Sequence, residues 1–131
     1  MVTVEDAERI AAGLPGVSEG ARYGNRTWLV GKQGFAWERP FTQADIKRFG
    51  TAEPPAGPIL AVRVADLDEK EILLATDTPG FFTMAHFDGY PAVLVQLDVV
   101  DIEALEEAIV DAWLACAPPD LAAEFLRDGD G

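Results

Sequence analysis

Residues 26–38 hold two short alternating runs separated by Gly31-Lys32-Gln33-Gly34, and this limits the fold more than any other feature of the chain. In Arg26–Val30 the side chains of Trp28 and Val30 share one face, with Thr27 and Leu29 on the other. In Phe35–Glu38 the same alternation puts Phe35 and Trp37 on one face. Two such runs joined by a glycine-bounded turn predict a β-hairpin. Strands adjacent in sequence pair antiparallel, so a doubly wound parallel sheet is disfavoured from the outset.

The rest of the chain supplies helices to cover such a sheet. Thr3 is a good N-cap, with Asp6 three residues on, and Val4, Ala7, Ile10, Ala11 and Leu14 form a helical stripe ended by Pro15-Gly16. Val17–Gly24 reads as a loop. Thr42 through Asp45 cap a short helix over Gln43–Phe49, and Gly50–Pro58 is the most loop-like segment. Ile59–Val64 reads as a strand. Asp66 caps a helix to about Ala75, with Lys70 placed as its i,i+4 partner. Thr78–Ala85 is irregular, and Ala92–Leu97 is the last strand. Asp101 caps the longest helix, to about Ala117, whose apolar stripe is Ile102, Leu105, Ile109, Ala112, Trp113 and Cys116. A final short helix covers Asp120–Leu126. The order is α-β-β-(α)-β-α-β-α-(α), which predicts an α+β fold in two layers. A mainly antiparallel sheet packs against helices on one side. Residues 1–126 are expected to be one domain, and residues 127–131 a flexible tail.

Composition narrows the function classes. The chain has 131 residues and a net charge of −13. Residues 1–65 carry 8 Lys/Arg against 7 Asp/Glu, whereas residues 66–131 carry 2 against 16. Solvation explains an acidic surface well enough. No run approaches the ~20 apolar residues of a membrane span, and the N-terminus has no basic region of the secretory kind. A single cysteine, Cys116, permits no internal disulfide and fits a cytoplasmic location.

The chemistry on offer is sparse. There is one serine, Ser18, one cysteine and one histidine, His86. Cys116 lies on the apolar stripe of a helix, where a buried, inert thiol is the simpler reading. Structural zinc wants four Cys/His ligands and two such residues exist in total. The acids of residues 98–111 suit the solvated side of a helix better than a metal site. No phosphate-cradling glycine motif occurs. No metal, cofactor or catalytic constellation is therefore expected. His86 has two readings: a ligand-binding or proton-transferring group beside Asp88 and Tyr90, or a structural pin that bonds a carbonyl or carboxylate at the entry to the last strand. Trp28 and Trp37 likewise read as core, or as part of a ligand surface with His86 and Tyr90. Six cations, Arg22, Arg26, Lys32, Arg39, Lys47 and Arg48, cluster around the hairpin and the next helix. They form a candidate, though thin, nucleic-acid footprint.

Several segments carry a family resemblance: TVEDAERIAAGLPGVSEG, GKQGFAW, LAVRVADLDEKEILLATD, FFTMAHFDGYPAVLVQL and LEEAIVDAWLACAP. Their order, the LPGV-x-E motif and the H-x-x-x-x-P-x-V-x-V pattern starting at His86 make the chain similar to the MmcQ/YjbR family. The resemblance implies a compact two-layer α+β fold, akin to frataxin-like and secretion-chaperone-like folds. It also implies DNA binding through a "double wing", which rests on fold analogy. It brings no catalytic residues. Three partner readings follow: DNA at the hairpin face, another protein, or a small ligand in a groove near His86, Tyr90 and the sheet aromatics. A monomer or a homodimer is expected, with no membrane partner.

Overall fold

The computed structural model describes residues 2–22, 24–51 and 53–129. Six strands form one sheet in the order β1-β2-β3-β4-β6-β5: β1 Val17–Arg22, β2 Asn25–Val30, β3 Gln33–Glu38, β4 Ile59–Arg63, β5 Phe81–Phe82 and β6 Ala92–Gln96. Every neighbouring pair is antiparallel. Five helices accompany it: α1 Val4–Ala12, α2 Gln43–Phe49, α3 Leu67–Ala75, α4 Ile102–Cys116 and α5 Pro119–Gly129. The fold is α+β, as the hairpin and the capped helices predict.

Two strands depart from the sequence reading. Val17–Arg22 is a strand and not a loop, paired in register from Val17↔Val30 to Arg22↔Asn25. Its burial pattern explains why it is hard to read: Val17 is half-buried and the next five residues are exposed. An edge strand of polar residues has no alternation to show, and its ladder with β2 holds it in place. Phe81–Phe82 pairs with β6 inside the segment expected to be irregular. Gly80, at φ +97°, lets this edge lie against Val100, whose backbone N would sit 2.9 Å from a Cβ there.

A bulge alters the hairpin. Trp28 pairs with Ala36 but Leu29 pairs with Gly34, leaving Phe35 as the extra residue. Phe35 and Ala36 therefore both enter the core under the helices, and Trp37 turns to the opposite face. Phe35 and Trp37 do not share a face, because simple alternation fails across a bulge.

The main core lies between the sheet and the helices. Leu60, Val62, Val93 and Val95 point into it from β4 and β6, and Leu105, Ile109 and Trp113 meet them from α4. Ile102, expected on this stripe, is instead 39% exposed. α1 keeps the expected capping box between Thr3 and Asp6 and buries Ala7 and Ala11. Asp101 stands at the start of α4 without a side-chain capping bond. α5 begins one residue earlier than expected and continues to Gly129, while residues 130–131 of the expected tail lie outside the described residues. Trp113 ties three parts together: its Nε1 donates to Pro15 O at 3.0 Å, and its ring lies 5.0 Å from that of Phe125 on α5. Trp113→Phe should keep the fold and cost about 1.5 kcal/mol by chemical denaturation, through the lost hydrogen bond and part of the buried ring.

The other sheet face carries a second, smaller cluster. Ile59, Ala61, Ala92 and Leu94 alternate onto it, covered by Phe87, Trp37, Phe41, Phe82 and Met84. This face, the open face, also carries Thr27, fully buried, and Leu29, half-buried, on β2.

Candidate functional site

The open face holds a groove of about 660 Å³ between the hairpin strands and the segment around residues 84–90. Three chain segments build it. The β1–β2 wing contributes Arg22 and Asn25. The bulge in β3 delivers Trp37, and the connection from β3 to α2 adds Arg39 and Phe41. The turn at Ala85–Phe87 and the residues after it add His86, Phe87 and Tyr90.

Each wall has an identifiable support. Gly34 has no Cβ, so the Arg22 guanidinium can lie over the strand at 3.5 Å from where one would be and donate to Lys32 O at 3.1 Å. Arg39 lies over the Phe87 ring at 5.6 Å and donates to Asp45 Oδ2 at 2.8 Å. Asp45 is 1% exposed and also accepts from Thr42 N at 2.9 Å, completing the capping box of α2. Burial pushes the Asp45 carboxyl up, but the hydrogen bonds from Arg39 and Thr42 outweigh it and hold the group below the ordinary aspartate value. Phe41 packs edge-on against Phe49 of α2 with centroids 5.4 Å apart. The helix, its cap and the aromatic wall thus depend on one buried carboxylate.

The opposite wall is held by Lys70. Its ammonium donates to Phe87 O and, at 2.9 Å, to Tyr90 O. It does not pair with Asp66, whose carboxylate caps α3 by accepting from Glu69 N at 2.8 Å. Burial lowers the Lys70 pKa from its ordinary value, with Asp88 acting in the opposite sense. The pin at the entry to β6 is therefore Lys70. His86 is exposed and makes no hydrogen bond among the described residues. Its ring stands at the groove, 6.0 Å from that of Phe87. Tyr90 is 41% exposed, and its hydroxyl accepts from Arg63 Nη1 at 3.2 Å.

The six cations do not form one patch. Arg26 lies on the helical side, stacked over Trp28 at 5.3 Å and paired with Glu8 and Glu19. Arg39 and Arg48 share Asp45. Arg22, Lys32 and Lys47 lack a carboxylate partner among the described residues, and only Arg22 lines the groove. Of the aromatic candidates, Trp37 and Tyr90 line it, while Trp28 is 1% exposed in the main core. Asn25, Phe41 and Lys70 went unrecognised in the sequence as site residues, whereas Arg39 is among the six candidate cations. The Lys70 role had one trace there: a lysine two residues before the apolar run Ile72–Leu74, read as an ion-pair partner because Asp66 stood four residues before it.

Cys116 is buried on the helical side, and burial pushes its thiol pKa up. Ser18 is on the outer edge strand and His86 is on the open face, so the sheet separates the histidine from the cysteine. Among the described residues no group of three or more His, Cys, Asp or Glu is placed to hold a metal ion. No described helix is long and apolar enough to cross a membrane.

A profile of the YjbR family matches residues 12–115, from the end of α1 to the last turn of α4, and so includes every residue of the groove. The chain belongs to the YjbR family. Two similar relatives are the uncharacterized protein Rv2570 of Mycobacterium tuberculosis and the uncharacterized protein Mb2600 of Mycobacterium bovis. Each is 45% identical over 131 residues, covering 98% of both chains. The YjbR chain is also similar in fold to a crystal structure of the Deinococcus radiodurans protein DR2400, which carries the family domain DUF419. That likeness has a TM-score of 0.57 at 21% identity and covers 87% of this chain and 78% of the other, so it speaks for the fold alone.

Proposed function

We propose that this YjbR domain is a non-catalytic binding module whose open-face groove takes a small anion with a planar, aromatic body. One observation carries the reading. In a chain of net charge −13, the groove is lined by Arg22, Arg39 and His86 and, among the described residues, by no carboxylate. Trp37, Phe41 and Tyr90 supply flat apolar surface beside these donors. A concave, largely apolar pocket with a few convergent polar groups is the usual form of a small-ligand site. A carboxylate or phosphate meeting Arg22 gains a charge-assisted bond, and an aromatic ring gains stacking area.

DNA binding at the hairpin face is the weaker reading. Half of its candidate cations are already paired with Glu8, Glu19 and Asp45. Nonspecific DNA affinity scales with the number of phosphates neutralised, and three dispersed cations neutralise few.

Isothermal titration of the full chain with salicylate and AMP, against salicylamide and adenosine, separates the possibilities. The anions should bind saturably and the neutral analogues about tenfold more weakly. Arg22→Glu and Trp37→Ala should each cost about tenfold in affinity; Arg22→Glu should leave the melting temperature unchanged because its side chain is exposed, whereas Trp37→Ala should lower it because the ring also covers the second apolar cluster. Equal binding of charged and neutral probes, or affinity unchanged in Arg22→Glu, would reject the reading. Salt-sensitive binding of a DNA oligonucleotide, lost in Lys32→Glu and Lys47→Glu while the small anions do not bind, would transfer the face to nucleic acid.

A further inference from the structure

A second groove, of about 640 Å³, lies on the helical side between α3 and α4. α4 packs on β3 and β4, whereas α3 packs against β5, with β6 between them in the sheet. Both helices line the cleft, Asp66–Thr76 from the α3 side and Ala104–Ala115 from α4. The floor is apolar, with Val64, Leu73, Phe81, Ala104 and Leu114 all partly exposed. Ile72, on the α3 wall, is 59% exposed and adds apolar surface to the cleft.

The rim has the opposite character. Asp66 and Glu69 stand on the α3 side, and Glu107 and Asp111 on α4, one turn apart. None of the four has an ion-pair partner among the described residues. Burial, then Glu107, then Glu69 from the other helix, all push the Asp111 carboxyl above its ordinary value. Glu69 on α3 and Asp111 on α4 both line the cleft, one from each wall. Among the described residues Arg63 is the one cation in the lining, and its guanidinium is engaged with the hydroxyl and ring of Tyr90. An acidic rim above an apolar floor is complementary to a slender cation with a hydrocarbon body. A bare metal ion would leave the floor unused.

We propose that the α3–α4 cleft binds a linear aliphatic amine with two or more ammonium groups. Its methylenes lie on Val64, Phe81 and Ala104, and its ammonium heads meet Glu69 on one wall and Glu107 and Asp111 on the other. This site is on the opposite side of the sheet from the anion groove and stands independently of it.

Isothermal titration of the full chain with spermidine, beside magnesium chloride at matched ionic strength, tests the proposal. Spermidine should bind saturably, one per chain, and magnesium should not reproduce the heat. The double variant Glu69→Gln/Asp111→Asn should lose at least about tenfold in affinity and melt no lower than the parent, because it removes a repulsion. Ala104→Leu, which fills the floor and leaves the charge alone, should weaken spermidine similarly. Equal response to magnesium, or affinity unchanged in both variants, would reduce the effect to counterion attraction by an acidic chain and overturn the proposal. So would the absence of saturable binding.

Discussion

Replacing Asp45 by alanine should destabilise the protein by about 3 kcal/mol, which for a domain of this size lowers the melting temperature by roughly 10 °C. The size follows from what the carboxylate serves. It accepts from Arg39 Nη1 at 2.8 Å and from Thr42 N at 2.9 Å, and reaches Arg48 Nη1 at 3.4 Å, while being 1% exposed. Removing it leaves the Arg39 guanidinium, itself mostly buried, without its counter-charge. α2 has seven residues, too few to hold together without its cap. Phe41 would lose its partner Phe49, and the groove would lose one wall. Asp45→Asn keeps the volume and an acceptor and should cost less, and Lys47→Ala on the exposed side of the same helix should cost almost nothing. pH supplies a second readout. The folded-state pKa of Asp45 lies below its ordinary 3.8, so its stabilising contribution is fully present above that pH and is lost as pH falls through the folded value. The stability gap between the parent and Asp45→Asn should therefore narrow on acidification below about pH 4. A constant gap would mean that the carboxylate's charge is not what α2 depends on.

Some of this arrangement is legible in the sequence, for reasons particular to each element. α1, α3 and α4 announce themselves because Thr3 and Asp66 are strong capping residues and because Leu105, Ile109, Ala112 and Trp113 repeat at helical spacing. β4 and β6 are apolar runs that read as strands, since both faces of each are covered. β1 is opaque because its residues face solvent and its only partner is a neighbour on one edge. The bulge at Phe35 is opaque because a one-residue insertion leaves no mark in composition, yet it decides that Trp37 belongs to the groove. Within the groove, His86, Tyr90, Trp37 and Arg22 are identifiable as unusual residues near one another in two segments. That Trp28 leaves the set and Arg26 pairs behind the sheet follows from face assignment, which depends on the pairing register. The second apolar cluster is missed for the same reason: covering the sheet's other face requires Phe41, Phe82 and Phe87 to return from three separate segments.

Lys70 is the residue whose role is furthest from its appearance, and Lys70→Ala should cost about 3 kcal/mol. Its side chain is 7% exposed and its ammonium bonds the carbonyls of Phe87 and Tyr90, which belong to the wall that presents His86. Alanine removes the buried methylenes and leaves two carbonyls without their donor, losses that add to about this size. Lys70→Met separates the two parts: it keeps the apolar stem and should cost about half as much, with the anion groove still weakened because the wall is no longer tied down. The linkage to pH has the opposite sign from that of Asp45. Burial makes folded Lys70 release its proton more readily than the unfolded chain does, below the ordinary 10.5. The group's contribution to stability therefore rises as pH climbs from the folded pKa towards 10.5, because the unfolded state binds the extra proton. The parent should gain on Lys70→Met over that alkaline window, measured by urea unfolding at successive pH values. A gap that shrank instead would show that the charged ammonium, and not the amine as a donor, holds the latch. Hydrogen exchange of the amides in residues 84–90 distinguishes local from global loss: the latch requires that these amides become faster in Lys70→Met while those of β4 keep their protection.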